Sequence, residues 1–181
     1  MTVKHGWQGR CYEDFTVGDI YPHALGRTIT DVDNIWFTLL TVNPNPIHFD
    51  QAYAERTPFK KLLVDSTFTL ALVTGLSVAD VSQNAINLGW EHVRLPQPVC
   101  AGDTLRAWSE VLEARLSQSR PEMGIVRLSR PPSSTRRVSR CSSLSVRSWS
   151  TGRGMRRKSR IWHAEAEIDQ IPRQDELASL L

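Results

Sequence analysis

The chain has 181 residues, 40% of them apolar, and carries 22 basic against 19 acidic side chains for a formal net charge of +3. That length supports one domain with a sizeable core. No apolar run approaches the ~20 residues of a membrane span, and the N-terminal stretch Met-Thr-Val-Lys-His-Gly-Trp lacks the apolar run of a secretory signal.

Cys11, Cys100 and Cys141 form no metal-binding spacing, and their odd number argues against a disulfide framework, so a reduced, cytoplasmic setting is expected. The charge is unevenly placed. Residues 127–160 hold ten arginines, one lysine and ten serines with no acidic residue. Without them, eleven basic residues face nineteen acidic ones, a net charge of −8.

Residues 12–29 predict an extended lead-in, with Tyr12, Phe15, Val17 and Ile20 alternating loosely around a turn at Gly18-Asp19. Thr30 followed by Asp33 predicts a capped helix start. Ile35, Trp36, Leu39 and Leu40 then recur at helical spacing. Pro44 and Pro46 end that helix, since proline lacks an amide donor and disfavours helix in the residue before it. What remains is a bent segment, Asn43-Pro44-Asn45-Pro46-Ile47-His48-Phe49-Asp50, that presents a histidine. Residues 49–56 predict a short helix.

Asp65 or Ser66 predicts the N-cap of the next helix. Its Phe68, Leu70, Ala71, Leu72, Val73, Leu76 and Val78 leave almost no polar face, so it should be buried on most sides. Residues 86–95 and 104–116 predict strands, separated by Pro96-Gln97-Pro98 and Gly102-Asp103, and 123–128 begins a third. A buried helix followed by long antiparallel strands predicts an α+β fold in which the sheet wraps around one helix. Function is suggested by the juxtaposition of His48 with the start of that helix. A histidine can serve as general base, and a helix N-terminal amide can hold negative charge developing on a thioester oxygen.

Asn45-Pro46-Ile47-His48-Phe49-Asp50 resembles the NPxHxD core of the MaoC-like dehydratases, and the resemblance runs from about Tyr12 to Val126. The stretch from Val64 to Gly75, together with Asn87-Leu88-Gly89-Trp90 and Gly102-Asp103-Thr104-Leu105, resembles the mesaconyl-CoA hydratase branch of that family. The resemblance implies a single hotdog domain and a homodimer. It also implies hydration or dehydration of a short dicarboxylic enoyl-CoA, branched or unbranched, with no metal and no cofactor beyond the coenzyme A of the substrate. Carried over by position, His48 falls on the catalytic histidine and Asn43 on the partner aspartate. Ser66 falls on the residue whose amide binds the thioester oxygen, and Thr74 on a supporting hydroxyl.

Three departures stand out. Asn43 cannot accept a proton as an aspartate can. Asp65 stands where asparagine or histidine is expected, at the edge of the thioester pocket. Lys60-Lys61 replaces a Gly-Arg pair. Lys60 and Lys61 are candidates for the phosphates of coenzyme A, and Arg94 for a substrate carboxylate through a bidentate pair. Each of these residues also has a plain structural use. Ser66 and Asp65 are helix caps, Asn43 is a turn former, Thr74 can pack in a core, and Lys60, Lys61 and Arg94 can be solvated surface charges.

From about Leu128 the character changes, dividing the chain into an incomplete hotdog domain over 1–128 and an aberrant Arg/Ser-rich tail over 129–181. Taken at face value the tail is disordered and suited to nucleic acid. A frameshift near residues 127–132 explains it better. Reading each codon from its third base turns Ser148 to Lys158 into a string that can encode Ile-Met-Val-Tyr-Arg-Ala-Gly-His-Ala-Pro-Glu, which resembles the family's last strand and tail. The expected consequence is a sheet whose C-terminal strands are missing or disordered. Two rivals to the enzyme reading remain: a non-catalytic acyl-CoA-binding hotdog, and nucleic-acid binding through the basic tail.

Overall fold

The computed structural model describes residues 2, 4, 6–95, 97–121 and 123–130, and the backbone of 132–134 and 145–151. The lead-in forms a short 3-10 turn at Tyr12–Asp14, then β1 (Ile20–Pro22) and β2 (Arg27–Thr28). Helix α1 (Asp31–Leu40) follows, then a 3-10 turn at Pro46–His48, α2 (Gln51–Arg56) and α3 (Ser66–Ser77). The strands β3 (Ala85–Glu91), β4 (Thr104–Leu116) and β5 (Met123–Ser129) complete the part expected from sequence.

Helix α1 starts as expected. The Asp33 amide donates to Thr30 Oγ1 at 3.2 Å while the Thr30 amide donates to Asp33 Oδ2 at 2.8 Å, a reciprocal capping box. Its orientation is not what the apolar spacing suggests. Trp36, Leu39 and Leu40 are 62%, 71% and 74% exposed, whereas Asn34 and Thr38 are buried. The inward face carries polar groups because it covers irregular backbone, whose donors and acceptors need partners that leucines cannot provide.

Helix α3 packs Phe68, Leu72 and Leu76, spaced four apart on one stripe, against Ile29, Val64 and Leu105. A second cluster joins Phe15, Val81, Val111, Val126 and Leu128. The expectation that α3 is buried on most sides is corrected: Ala71 and Gly75 are exposed and only Thr69, Val73 and Ser77 are buried. In one copy of the chain the sheet covers a single face of the helix. Gly124 of β5 is required by close packing, since a Cβ there would run into the Tyr12 ring.

Among the described residues the sheet runs β1-β4-β5-β7-β3, with β2 and β6 also pairing with β4. All of these pairings are antiparallel. Two stretches beyond Leu128 stand in the sheet, against the expectation of an open edge there. They are β6 (Pro132–Ser134), beside β4, and β7 (Ser145–Thr151), between β5 and β3. Ladder bonds are made by backbone, so a polar sequence can occupy a strand position, and Val146, Trp149 and Thr151 are good strand formers. The remaining tail, 135–144 and 152–181, lies outside the described residues.

One buried polar chain ties this architecture together. The His23 ring, fully enclosed, meets Asp80 Oδ2 through Nδ1 at 2.8 Å and Ser109 Oγ through Nε2 at 3.0 Å. It thereby joins the end of β1, the turn after α3 and β4. Burial lowers the His23 pKa below its ordinary value, outweighing the opposite pull of Asp80. Nδ1–H therefore donates to the carboxylate and Nε2 accepts from the serine. The unfolded chain takes up this proton more readily, so the contribution is fully present above the ordinary histidine value of about 6.5 and is lost as pH falls below it. Urea denaturation should show stability falling through that acid range, and H23Q should flatten the slope. An equal slope in H23Q would assign it to other groups.

Candidate active site

The segment carrying His48 is shaped by two nested side-chain turns. Chain direction reverses through Val42, which sits in the left-handed region at φ 55°. Asn43 Oδ1 then accepts from the Asn45 amide at 3.1 Å, and Asn45 Oδ1 accepts from the Ile47 amide at 3.2 Å. Asparagine is suited to both bonds. The 3-10 turn at Pro46–His48 follows, and Asp50 caps α2 by accepting from the Tyr53 amide at 2.9 Å.

The imidazole of His48 is fixed by one backbone bond. Nδ1 lies 2.9 Å from the Leu63 carbonyl oxygen. A carbonyl can only accept, so Nδ1 carries the proton and the neutral ring keeps its lone pair on Nε2. His48 lines a cavity of about 320 Å³ together with Ser66 and Thr69, closed by the apolar side chains of Phe59, Leu63, Val64, Leu95 and Val99. The fold thus brings His48, the sequence's candidate base, into one cavity with the start of α3.

That helix start leaves one donor open. Asp65 is the N-cap, and its Oδ1 accepts from the Thr67 amide at 2.7 Å and the Phe68 amide at 3.3 Å. The Thr69 amide bonds the Asp65 carbonyl at 3.0 Å. Of the first amides of the helix, that of Ser66 is the one the cap does not occupy, and Ser66 lines the cavity. An unoccupied amide at the positive end of a helix is suited to an anionic oxygen.

Asn43 and Asp65 are brought together, though neither lines the cavity. Asn43 Nδ2 donates to Asp65 Oδ2 at 2.6 Å. Burial pushes the Asp65 carboxyl up, but the bonds from the Thr67 hydroxyl, the Asn43 amide and the Thr67 and Phe68 amides outweigh it and hold the pKa below the ordinary carboxylate value. Asp65 is thus an ionised carboxylate fastened to the residue standing where the family's aspartate would be.

The other sequence candidates lie apart. Thr74 donates to the Leu70 carbonyl at 3.0 Å, two turns along α3, and is not in the cavity wall. Lys60 is exposed with φ 59°. Lys61 lines a separate, more polar cavity of about 530 Å³ beside Thr30, Gln51 and Cys100. Arg94 was expected on a strand, but β3 ends at Glu91 and Arg94 is exposed in the following loop. The bulge between Asn87 and Gly89 distorts the strand before that point.

Sequence reasoning missed Asn34, which is 2% exposed on the inner face of α1. Its one signal was a poor helix former just past the capping residues, at the head of an apolar run. It also missed the wall formed by Phe59, Leu95 and Val99, which no local pattern announces.

The family model described as MaoC like domain matches residues 14–128. The chain belongs to the MaoC-like family. The match ends at Leu128, where the composition changes. A mesaconyl-CoA hydratase of Haloarcula marismortui is 32% identical over 120 residues, 66% of this chain and 34% of that protein. A beta-methylmalyl-CoA dehydratase of Chloroflexus aurantiacus is 34% identical over 108 residues, 59% of this chain and 31% of that one. The MaoC-like chain described here thus spans about a third of the length of these curated relatives. The crystal structure of a MaoC-like dehydratase from Rhodospirillum rubrum superimposes with a TM-score of 0.70 at 26% identity, covering 80% of this chain and 99% of that one. The antiparallel sheet packed on one face of α3 is the hotdog fold of this family.

Proposed function

We propose that this MaoC-like chain adds water to, or removes it from, the α,β-double bond of a short enoyl-CoA thioester. The observation that carries the reading is the shared cavity of His48 and Ser66. In hydration, His48 Nε2 takes a proton from water as its oxygen attacks the β-carbon. The thioester oxygen accumulates negative charge, which the Ser66 amide and the N-terminus of α3 stabilise. The α-carbon then takes that proton back from His48 Nε2, which restores the neutral ring and completes the addition of one water, and dehydration reverses these steps. General-base help of this kind contributes roughly 10²–10⁴-fold.

The names of the curated relatives support a branched, dicarboxylic acyl group of the mesaconyl type. A second copy of the chain is the partner we assign to the uncovered side of α3, beside the exposed Ile86, Leu88 and Trp90 of β3. No helix of the described residues is long and apolar enough to cross a membrane. We place the enzyme in a reducing, cytoplasmic setting, which suits the buried Cys11 and Cys100, neither of them in a disulfide.

Loss of the enoyl-thioester absorbance tests the reading, with crotonyl-CoA and mesaconyl-CoA as substrates and calorimetric binding of saturated butyryl-CoA alongside. Turnover of either substrate is expected. Binding without turnover would replace the enzyme with an acyl-CoA-binding hotdog, a reading that Asn43 in place of a carboxylate favours. No binding and no turnover would sink both.

A further inference from the structure

Asn34 bonds backbone on both sides of the site, at His48 and at the residues leading into α3. Its Nδ2 donates to the carbonyl of His48 itself at 2.9 Å and to the carbonyl of Leu63 at 2.9 Å. Its Oδ1 accepts from the Asp65 amide at 2.8 Å. Both amide protons and one oxygen lone pair are thus used on three backbone groups, 14, 29 and 31 residues away in sequence, that lie on two segments. Leu63 O is also the acceptor of His48 Nδ1–H. One side chain therefore holds the peptide that bears the base, the carbonyl that sets its tautomer, and the peptide immediately before the Ser66 donor.

We infer that Asn34 is the positioning residue of this site, the clamp that sets the spacing between His48 Nε2 and the Ser66 amide. The inference rests on the hydratase reading for its kinetic consequence, though not for its structural one. The residue type follows from the geometry. Two carbonyls and one N–H converge on a buried point, which requires two donors and one acceptor on a short, planar group. Aspartate supplies the acceptor and turns a carboxylate towards the two carbonyls. Leucine supplies none of the three. The parallel bond from Asn43 to Asp65 crosses the same gap, so the segment 43–48 is tied to the start of α3 at two points, one neutral and one charged.

Fixed spacing matters because reacting groups must be held close to a productive geometry, and a displacement of about 1 Å costs on the order of 10²-fold in rate. Asn34 achieves this without lining the cavity, so its loss should leave the acyl chain's contacts intact.

The test uses N34A and N34D in the full chain. N34D keeps the bond from the Asp65 amide and so guards against N34A failing to fold. With crotonyl-CoA, kcat should fall about 100-fold in each folded variant while KM and the butyryl-CoA Kd stay within about threefold. In proton NMR spectra, the downfield His48 Nδ1–H signal of the wild type should be displaced or broadened away. A folded variant with wild-type kcat and an unmoved His48 signal would overturn the clamp, as would equal losses in kcat and in butyryl-CoA binding. The NMR reading needs no turnover. An inactive wild type whose His48 signal is still lost in N34D would sink the hydratase reading and support the clamp.

Discussion

H48A should lower kcat for crotonyl-CoA hydration by about 10²–10⁴-fold and leave the Kd for butyryl-CoA within about threefold. The asymmetry follows from where the ring acts. His48 lines the cavity, and because the Leu63 carbonyl claims Nδ1, Nε2 is the ring nitrogen left to act as a base. Alanine removes that base and spares the Ser66 amide, whose position depends on Asp65 and α3. Binding of a saturated thioester uses the amide and the apolar wall, and both survive. Asn43 could not take over. Its Nδ2 is committed to Asp65, its Oδ1 to the Asn45 amide, and an amide has no proton affinity comparable to imidazole. Retained turnover in H48A would move the base to another group and reduce His48 to a turn residue. Parallel loss of turnover and butyryl-CoA binding would mean that the ring shapes the cavity and does not drive the chemistry.

R130L should stabilise the protein by about 2–4 kcal/mol, read as a higher urea midpoint at unchanged m-value. Arg130 is 1% exposed, and its Nε and Nη1 have no hydrogen-bond partner among the described residues. Burial lowers its pKa to about 10, which still leaves the group charged at neutral pH. An isolated buried charge costs far more than the packing of its methylenes returns, whereas leucine keeps much of the volume and removes the charge. No gain in R130L would mean that a solvent path or a partner reaches the guanidinium. The residue lies two positions past Leu128, where the family match stops and the arginines begin. A core position filled by a guanidinium whose Nε and Nη1 lack partners among the described residues is what a shift of reading frame delivers, because such a shift replaces every downstream residue and discards the pattern that burial requires. Resequencing codons 120–181 checks this directly: an insertion or deletion is expected, and an unchanged reading would make Arg130 a genuine part of this chain.

Much of the scaffold was legible in the sequence because its signals are local. The Thr30–Asp33 box, the stop at Pro44 and Pro46, the cap at Asp65 and the span of β4 all depend on residues within a few positions of one another, where propensity and capping act. His48 and Ser66 could be named because the NPxHxD motif and the helix start are contiguous strings. Tertiary structure alone decided the remainder. The apolar residues of α1 signalled a core face, yet they point outward, because the face that matters there is chosen by the backbone it must satisfy. Arg94 falls outside its strand because β3 ends at Glu91, a limit set by pairing with β7 and not by any residue type near Arg94. Above all, Asn34 looked like an indifferent helix residue, and its role exists only where His48, Leu63 and Asp65 converge. A sequence can state which donors and acceptors a side chain carries, but which backbone groups meet them is fixed by contacts between segments far apart in the chain, and those form only when the whole domain folds.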